Sequence, residues 1–200
     1  QYIKFFIIII CHFFELPFNY TFTCKLLDQS FIHISNYHII SNNYVTNGDF
    51  LKFVNSNCYN DYSLWSIDGL KWVSSYPKKF PYFWEKNGKK MYIKKFNRYC
   101  EIKNILNEPI QNISYYEAEA YCNFNGGMLP TITDLELLYQ QYNIQKNYLW
   151  EWTINNSSKL SICYGGTYFN NLIITDVNDK CKYDKSAQHY FTSFRIKKKL

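Results

Sequence analysis

The sequence lacks most of the short motifs that mark a metal centre or an activated nucleophile. None of its seven cysteines belongs to a CxxC pair, and its four histidines form no HxxxH or HExxH pattern. No nucleophile-elbow sequence for a Ser–His–Asp site is present. A metal site needs several ligands at matched spacing, so a transition-metal site built by this chain alone is not expected.

Glycine is also scarce, with 7 residues in 200, and no Gly/Ser linker, internal repeat or βαβ alternation interrupts the chain. What is abundant is apolar and aromatic: 47% of residues are hydrophobic and 20% are aromatic. A chain of this length fits one domain with a sizeable core. The pattern of few helices, many short strands and long aromatic loops predicts a single α+β domain.

The net charge of +6 comes largely from two basic runs, at 89–95 and 195–199. No nucleic-acid-binding motif accompanies them, so they are interpreted as a solvated strand and a solubilising tail, and no nucleic-acid partner is expected. The dispersed, odd-numbered cysteines favour a reducing compartment over a disulfide framework. A cytoplasmic location is therefore the expectation.

The N-terminal stretch 2–14, "YIKFFIIIICHFF", combines a lysine with an apolar run, as a signal peptide does. The run is too short to span a bilayer as a helix, and no small-residue cleavage site follows. It is interpreted as a buried first strand, with no membrane partner expected. Because the chain starts at Gln1 rather than Met, it is expected to be a fragment or an excised domain.

Further along, residues 31–40 alternate in polarity and predict one strand with Ile32, Ile34 and Tyr37 buried. On such a strand His33 and His38 would face opposite sides. Residues 61–88 show little periodicity and are predicted as long loops pinned by aromatics. A short strand is expected after the Asn87–Gly88 turn.

Capping boxes predict helix starts, because a Ser or Thr side chain and an acid three residues later satisfy each other's backbone N–H groups. Thr46 with Asp49 predicts a helix with Phe50, Phe53 and Val54 on its apolar face and an end near Asn57. Ser114 with Glu117 predicts a second, roughly 114–124, and Thr131 with Asp134 a third. The core-facing residues of the second are expected to be Ala118, Tyr121 and Cys122.

Two side chains stand out chemically. Glu151 lies between two tryptophans, so its carboxylate must be hydrogen-bonded, paired or bound to a cation. A structural network is one alternative and a calcium ligand is the other. Cys181 lies between Lys180 and Lys182, which favour a reactive thiolate, whereas Cys122 is interpreted as a structural thiol.

The stretch "PIQNISYYEAEAYCNFNGGMLPTITDLELL" resembles the central signature of the sulfatase-modifying-factor, or formylglycine-generating-enzyme, domain family. Further landmarks follow the family's order: "YVTNGDFLKFV", "LWEWT", "YGGTY" and "TSFRI". The resemblance implies a C-type-lectin-like α+β fold with short strands, two or three helices and long loops over residues 31–196. It leaves 1–30 as an N-terminal strand or irregular segment and 197–200 as a basic tail.

Within that family the chain is most similar to the ergothioneine- and ovothiol-type sulfoxide synthases, which join cysteine to a histidine derivative using oxygen. In them iron is held by three histidines of a separate helical domain. The resemblance implies that this chain is the substrate-binding half, inactive alone, with that helical domain in cis and a small thiol and a histidine derivative as partners. It assigns catalytic roles to Tyr164, Tyr168 and Asp184, and substrate binding to Arg195 and Trp150.

The chain also departs from the pattern. Met128 replaces an arginine, Ser193 replaces a glycine, and Gln188 and His189 stand where arginine is expected. A non-catalytic lectin-like binding or structural module is therefore the second hypothesis. A formylglycine-generating oxidase is the third and is not expected, because it needs a paired-cysteine copper site and Cys163 lies far upstream of Cys181.

Overall fold

The computed structural model describes residues 31–95, 98–142, 149–154, 159–166 and 180–200. The strand predicted at 2–14 lies outside these ranges. The described part contains four α-helices: α1 (Asn47–Asn55), α2 (Ile67–Ser75), α3 (Tyr115–Phe124) and α4 (Ile132–Gln141). Its ten strands are β1 (Phe31–Ser35), β2 (His38–Ser41), β3 (Trp84–Asn87), β4 (Lys90–Lys95), β5 (Arg98–Glu101), β6 (Trp150–Trp152), β7 (Leu160–Gly165), β8 (Lys180–Asp184), β9 (Thr192–Ser193) and β10 (Lys197–Lys199). The mixed α+β class is confirmed.

The strands form three small sheets. One has the order β1-β2-β10, a second β3-β4-β5, and the third β8-β7-β6-β9. All pairs are antiparallel except β6 with β9, which run parallel. The third sheet brings the C-terminal landmarks of the sequence together. In the part of the chain that the structure describes, no helix is long and apolar enough to cross a membrane.

The helix α2 was not predicted and lies in the stretch expected to be loops, which makes four described helices instead of two or three. Ser66 caps it by accepting a hydrogen bond from the Gly69 N–H, and Val73 is fully buried. Aromatic residues also stand before and after the helix, and two of them, Trp65 and Tyr76, pack against the same core. Because apolar residues are frequent outside the helix as well, the helical spacing of its own apolar residues does not stand out in the sequence.

The single strand predicted over 31–40 is wrong. The chain reverses at Asn36 and Tyr37 and forms the β1–β2 hairpin, so Tyr37 is 74% exposed instead of buried. Ile34 is buried and Ile32 is half-buried, as predicted. Polarity continues to alternate through the turn, and a period of two cannot show where a strand reverses.

The C-terminal lysines also differ from expectation, because Lys197–Lys199 form the strand β10 against β2 and not a solvated tail. Lys197 is buried and lies 2.7 Å from an oxygen of Asp134. Burial alone would raise the pKa of Asp134, but the charge and hydrogen bond of Lys197 and the hydrogen bonds of Thr131 together outweigh it, and the pKa is lowered. The predicted basic strand after Asn87–Gly88 is confirmed as β4.

The predicted helix starts are confirmed. Thr46 caps α1, and complete capping boxes open α3 and α4. The joint between α3 and α4 is packed against β10: Met128 exchanges backbone hydrogen bonds with Lys197. A Cβ on Gly127 would lie 2.6 Å from the Lys197 carbonyl oxygen, so glycine is required there for the two backbones to approach.

Two groups of buried side chains form the interior of the described residues. The larger core gathers Phe50, Phe53, Tyr121, Trp152 and Phe194 around α1, α3 and the third sheet. Val54, predicted on the α1 apolar face, packs against it half-buried. The smaller core lies under α4 and the first sheet, and it contains Ile34, Ile40, Leu135, Leu138, Tyr139 and Tyr164.

Candidate functional site

Most of the residues predicted to act on substrate lie on the third sheet. Trp150 and Glu151 lie on β6, Tyr164 on β7 and Asp184 at the end of β8, while Arg195 follows β9 by two residues. Tyr168 lies outside the described residues. The sheet registers therefore decide which of these side chains can meet.

The two faces of this sheet carry different chemistry. Glu151 lies opposite Tyr164 on one side and opposite Ser193 on the other, so the three share one face. Trp150 and Trp152 belong to the other face, where the ring of Tyr183 meets both edge-on at 6.1 and 6.4 Å between centroids. One face is thus polar and the other aromatic.

Glu151 and Arg195 form a buried ion pair, and both side chains are 0% exposed. Arg195 Nε donates to Glu151 Oε2 at 3.0 Å, and the Tyr44 and Tyr139 hydroxyls donate to Oε1. The guanidinium also donates to backbone carbonyls of the β2 end and lies 4.5 Å from the Tyr44 ring centroid. Burial lowers the pKa of Arg195, but the charge of Glu151 together with Tyr139 and Tyr44 outweighs it, and the pKa is raised.

The partners of Glu151 form the structural hydrogen-bonded network that was one of the two alternatives for this residue. Both carboxylate oxygens face donors from Arg195, Tyr44 and Tyr139, so the charge is already compensated inside the protein. Calcium binding by Glu151 and substrate binding by Arg195 stay predictions. A cation at Glu151 would have to displace the guanidinium.

Tyr164 and Trp150 are both buried, with 5% exposure each. The Tyr164 ring packs in the smaller core, 6.0 Å from the ring of Tyr139. The roles predicted for these two residues stay predictions, and the structure places both beneath the surface.

Asp184 lies apart from the other predicted residues. On β7 and β8 it pairs with Leu160, whereas Tyr164 pairs with Lys180. Four residues along a strand separate these positions by about 13 Å. Asp184 Oδ1 accepts hydrogen bonds from the backbone and hydroxyl of Ser186, which shape the turn after β8. The predicted set is therefore divided between two places.

A second buried glutamate was not predicted as a functional residue. Glu117, expected only as a capping residue, is 0% exposed and accepts from the Tyr59 hydroxyl at 2.5 Å and from Gln188 Nε2 at 2.8 Å. Ser114 adds its N–H and hydroxyl, both at 2.8 Å. All of these partners are neutral. Burial raises the pKa of Glu117, and the hydrogen bonds offset that only in part.

This network reaches the surface through Gln188, whose amide also donates to the hydroxyl of half-buried Tyr76 at 3.2 Å. Tyr76 stacks on Trp72 with 4.5 Å between centroids. Asp184 lies close enough for its charge to help raise the pKa of Tyr116, although burial is the larger cause. We call Asp184, Gln188, Tyr76 and Tyr116 the polar edge.

The polar edge combines one carboxylate with hydroxyl and amide groups. Burial raises the pKa values of Tyr76 and Tyr116, so both hydroxyls keep their protons and can donate hydrogen bonds. The Tyr76 hydroxyl already donates to the Phe80 carbonyl oxygen at 3.2 Å. The set can still bind a small zwitterion, with its ammonium at Asp184 and an acceptor at Tyr116. Two partial signals were present in the sequence, the predicted acid Asp184 and the unusual Gln188, but none marked Tyr76.

The sheet register also brings two cysteines together. Cys163 on β7 lies directly opposite Cys181 on β8, although 18 positions separate them in sequence. Cys163 is buried, and Cys181 is half-buried. Cys122, predicted as a structural thiol, is buried on α3, and burial raises its pKa well above the ordinary value.

Among the residues that the structure describes, no three His, Cys, Asp or Glu side chains converge in a way that could hold a metal ion. His33 and His38 lie on the two strands of the first hairpin, where His33 pairs with Ile39 and His38 with Ser35. The described residues therefore do not fit an iron centre.

Comparison with known proteins agrees with the family resemblance of the sequence segments quoted above. The model of the sulfatase-modifying factor enzyme 1-like domain matches residues 21–190. The chain is 32% identical over 93 residues to the hercynine oxygenase of Mycobacterium tuberculosis, which is 46% of this chain and 21% of that protein. The hercynine oxygenases of Mycolicibacterium thermoresistibile and Mycolicibacterium smegmatis are each 30% identical over 93 residues, 20% of their lengths. The match thus spans about a fifth of these relatives.

Proposed function

The chain belongs to the sulfatase-modifying factor enzyme 1-like domain family, and on that premise we propose that it is the substrate-binding half of an iron-dependent sulfoxide synthase. Its substrates would be a small thiol such as cysteine and a histidine derivative, as in ovothiol or ergothioneine synthesis. The observation that carries the proposal is the 30–32% identity to three hercynine oxygenases over 93 residues. A C-type-lectin-like arrangement of the domain is part of the same proposal.

The polar edge is the proposed contact surface for substrate. Asp184 is half-buried and carries the negative charge that an amino-acid ammonium group needs, and the Tyr116 hydroxyl, which keeps its proton, offers a neutral donor near it. Arg195 is 0% exposed and paired with Glu151, so under this proposal it holds the sheet together instead of touching substrate. Trp150, which meets Tyr183 on β8, would support the surface from within, and Tyr164 would support the other end of the sheet.

Iron would come from another domain under this proposal. The described residues hold no group of three ligands that fits it. When present in such an enzyme, iron supplies the binding of thiolate and oxygen. This chain would bind and orient the two organic substrates, and would form no sulfoxide without an iron-binding partner domain.

The test mixes the full chain with a separately produced iron-binding helical domain of the sulfoxide-synthase type, iron(II), cysteine and a histidine derivative. Oxygen consumption and the mass of the coupled product are measured, and substrate binding to the chain alone is followed by titration calorimetry. Asp184→Asn should weaken binding about ten- to hundredfold, because a charge-assisted hydrogen bond contributes about 1.5–3 kcal/mol. Asp61→Asn, which changes an exposed acid elsewhere, is the matched control.

Two results would overturn the proposal. Sulfoxide formed by the chain without the added domain would show that the iron site is its own. Absence of any substrate binding to the chain, with Asp184→Asn no different, would remove the substrate-binding role.

A non-catalytic binding or structural module is the second candidate, and a specific observation favours it. Gln188 stands where the resemblance expects an arginine, and it leaves Glu117 without a cationic partner among its hydrogen-bonded neighbours. In a thermal-shift screen, stabilisation by calcium or a sugar but not by thiol or histidine substrates would support this candidate. Stabilisation by the substrates alone would reject it.

A further inference from the structure

Two free thiols face each other across neighbouring strands of the third sheet. Cys163 in the middle of β7 is the register partner of Cys181 in β8, and both are unbridged in the structure. Directly opposite residues of an antiparallel pair have Cα atoms about 4.5 or 5.5 Å apart. Both values lie in the range of about 4.4–6.8 Å that disulfides require. The backbone therefore already has the spacing for a bridge.

We propose that Cys163 and Cys181 are a redox modification site, which closes a reversible disulfide across β7 and β8. The other sheet registers of the described residues place no cysteine opposite a second one; Cys100 on β5, for example, lies opposite Ile93. The pair lies on the aromatic face, away from Glu151, and takes no part in the proposed activity.

The two thiols differ in access, which gives the reaction an order. Cys181 is half-buried between exposed Lys180 and Lys182, so it can meet a soluble oxidant. Cys163 is 0% exposed, and burial, followed by the neighbouring Cys181, raises the pKa of its thiol well above the ordinary value. Cys181 is the attacking thiol and Cys163 the resolving one.

The oxidant is a low-molecular-weight disulfide of the glutathione class. The Cys181 thiolate attacks one of its sulfurs, forms a mixed disulfide and expels one thiolate. Cys163 then loses its proton and attacks the Cys181 sulfur of the mixed disulfide, which expels the second thiolate. The two protein thiols lose two electrons and two protons in total, and the oxidant is reduced to two thiols.

The disulfide would link the edge strand β8 covalently to its neighbour β7. β8 is the outer strand of its sheet and leads into the turn that carries Asp184. Two residues after Cys181, Tyr183 packs edge-on against Trp150 and Trp152. A bridge at Cys181 therefore fixes the strand that joins the aromatic face to the polar edge.

The experiment equilibrates the full chain with a series of reduced-to-oxidised glutathione ratios, quenches it with an alkylating agent and maps the peptides by mass spectrometry. The expected product is a linked peptide pair containing Cys163 and Cys181, removed by dithiothreitol. Its fraction should rise from a tenth to nine-tenths over about a hundredfold change in oxidised glutathione at constant reduced glutathione, as a two-electron couple requires. The oxidised chain should also melt several degrees higher than the reduced chain.

Variants test the order of attack. Cys163→Ser should accumulate glutathione on Cys181, whereas Cys181→Ser should leave Cys163 unmodified because it is buried. Cys100→Ser is the matched control and should leave the linked pair unchanged. Peptide mapping of the unmutated chain decides the matter even if a variant does not fold. Alkylation of Cys163 and Cys181 at every ratio, or a bridge from either to a different cysteine, would overturn the proposal.

Discussion

Glu117 and Glu151 are both fully buried, yet the protein surrounds them differently. Glu151, at the smaller core, has Arg195 at 3.0 Å and two tyrosine hydroxyls. Glu117, at the larger core, has only neutral donors from Tyr59, Ser114 and Gln188. A buried carboxylate can be stabilised by a charge or by several hydrogen bonds, and these two glutamates show one method each.

The difference separates a structural region from one that can still respond to ligand. The Glu151 network is closed, because its charge is compensated and its partners point inward. The Glu117 network is not charge-compensated by its bonded partners and continues through Gln188 to half-buried Tyr76. We therefore expect mutations at the first to act on stability, and mutations at the second to act on stability in a way that depends on pH.

The largest effect is expected from Arg195→Met, which leaves the Glu151 charge buried without its cation. Breaking one side of a buried ion pair costs about 3–5 kcal/mol. The free energy of unfolding, measured by urea titration, should fall by that amount. The double variant Arg195→Met with Glu151→Gln should recover part of the loss, because the uncompensated charge is gone. A loss below about 1 kcal/mol for the single variant would contradict the assignment.

The next effect compares the two tyrosines that donate to the glutamates. Tyr59→Phe removes a hydrogen bond to a carboxylate that has no cation, and should cost about 2 kcal/mol. Tyr44→Phe should cost less, because Arg195 still compensates Glu151. Exposed Tyr62→Phe is the control and should change stability by less than about 0.5 kcal/mol. If Tyr44→Phe were the more damaging of the pair, the proposed contrast between the networks would be reversed.

Local features of this fold could be predicted from the sequence. The helix starts at Thr46, Ser114 and Thr131 are confirmed, because capping involves residues only three positions apart. The strand predicted after Asn87–Gly88 is confirmed as β4, whereas its partner β3 lies in the stretch that was predicted as loops. Tyr37 and α2 were missed, because alternation continues through a hairpin turn and aromatic residues obscured a helical face.

The networks could not be predicted, because their members are far apart along the chain. Arg195 and Glu151 are 44 positions apart, and Gln188 and Glu117 are 71 apart. The sequence showed that Glu151 needed partners but could not name them, and it identified Glu117 as a cap without showing its burial. Resemblance supplied the order of the C-terminal landmarks, while the strand register decided that Tyr164 and Asp184 lie at different ends of the sheet.

Glu117→Gln tests the pH dependence of the larger-core network. Because the pKa of Glu117 is raised in the folded protein, its contribution to stability is fully present below the unfolded pKa near 4.5 and is lost as pH rises through the folded pKa. As pH rises, the unfolding free energy of the unmutated chain should therefore decline relative to that of the variant. If folding raises the pKa of Glu117 by one, this decline amounts to about 1.4 kcal/mol. Glu119→Gln, on the same helix but half-exposed and hydrogen-bonded to Ser66, is the control and should leave the decline that Glu117 causes in place.

The smallest effect, and the sharpest test, is Gln188→Arg, which would give Glu117 the cation that Glu151 already has. An arginine at this position can donate to the same Oε2 that Gln188 reaches at 2.8 Å. The positive charge should lower the pKa of Glu117 and raise the unfolding free energy above pH 6 by about 1 kcal/mol. The sign of the pH dependence should then reverse: stability is present above the unfolded pKa and is lost as pH falls through the lowered folded pKa.

The matched control is Gln188→Met, which removes the amide without adding charge. It should lower stability more at pH 8 than at pH 4, because the ionised Glu117 then loses a donor. Urea titrations from pH 4 to pH 8 on all three proteins measure the slopes. If the unfolding free energy of Gln188→Arg changed with pH as it does in the unmutated chain, the guanidinium would lie in solvent. Glu117 would then still lack a cationic partner. If the slope reversed, the absence of arginine at position 188 would by itself account for the difference between the two glutamates.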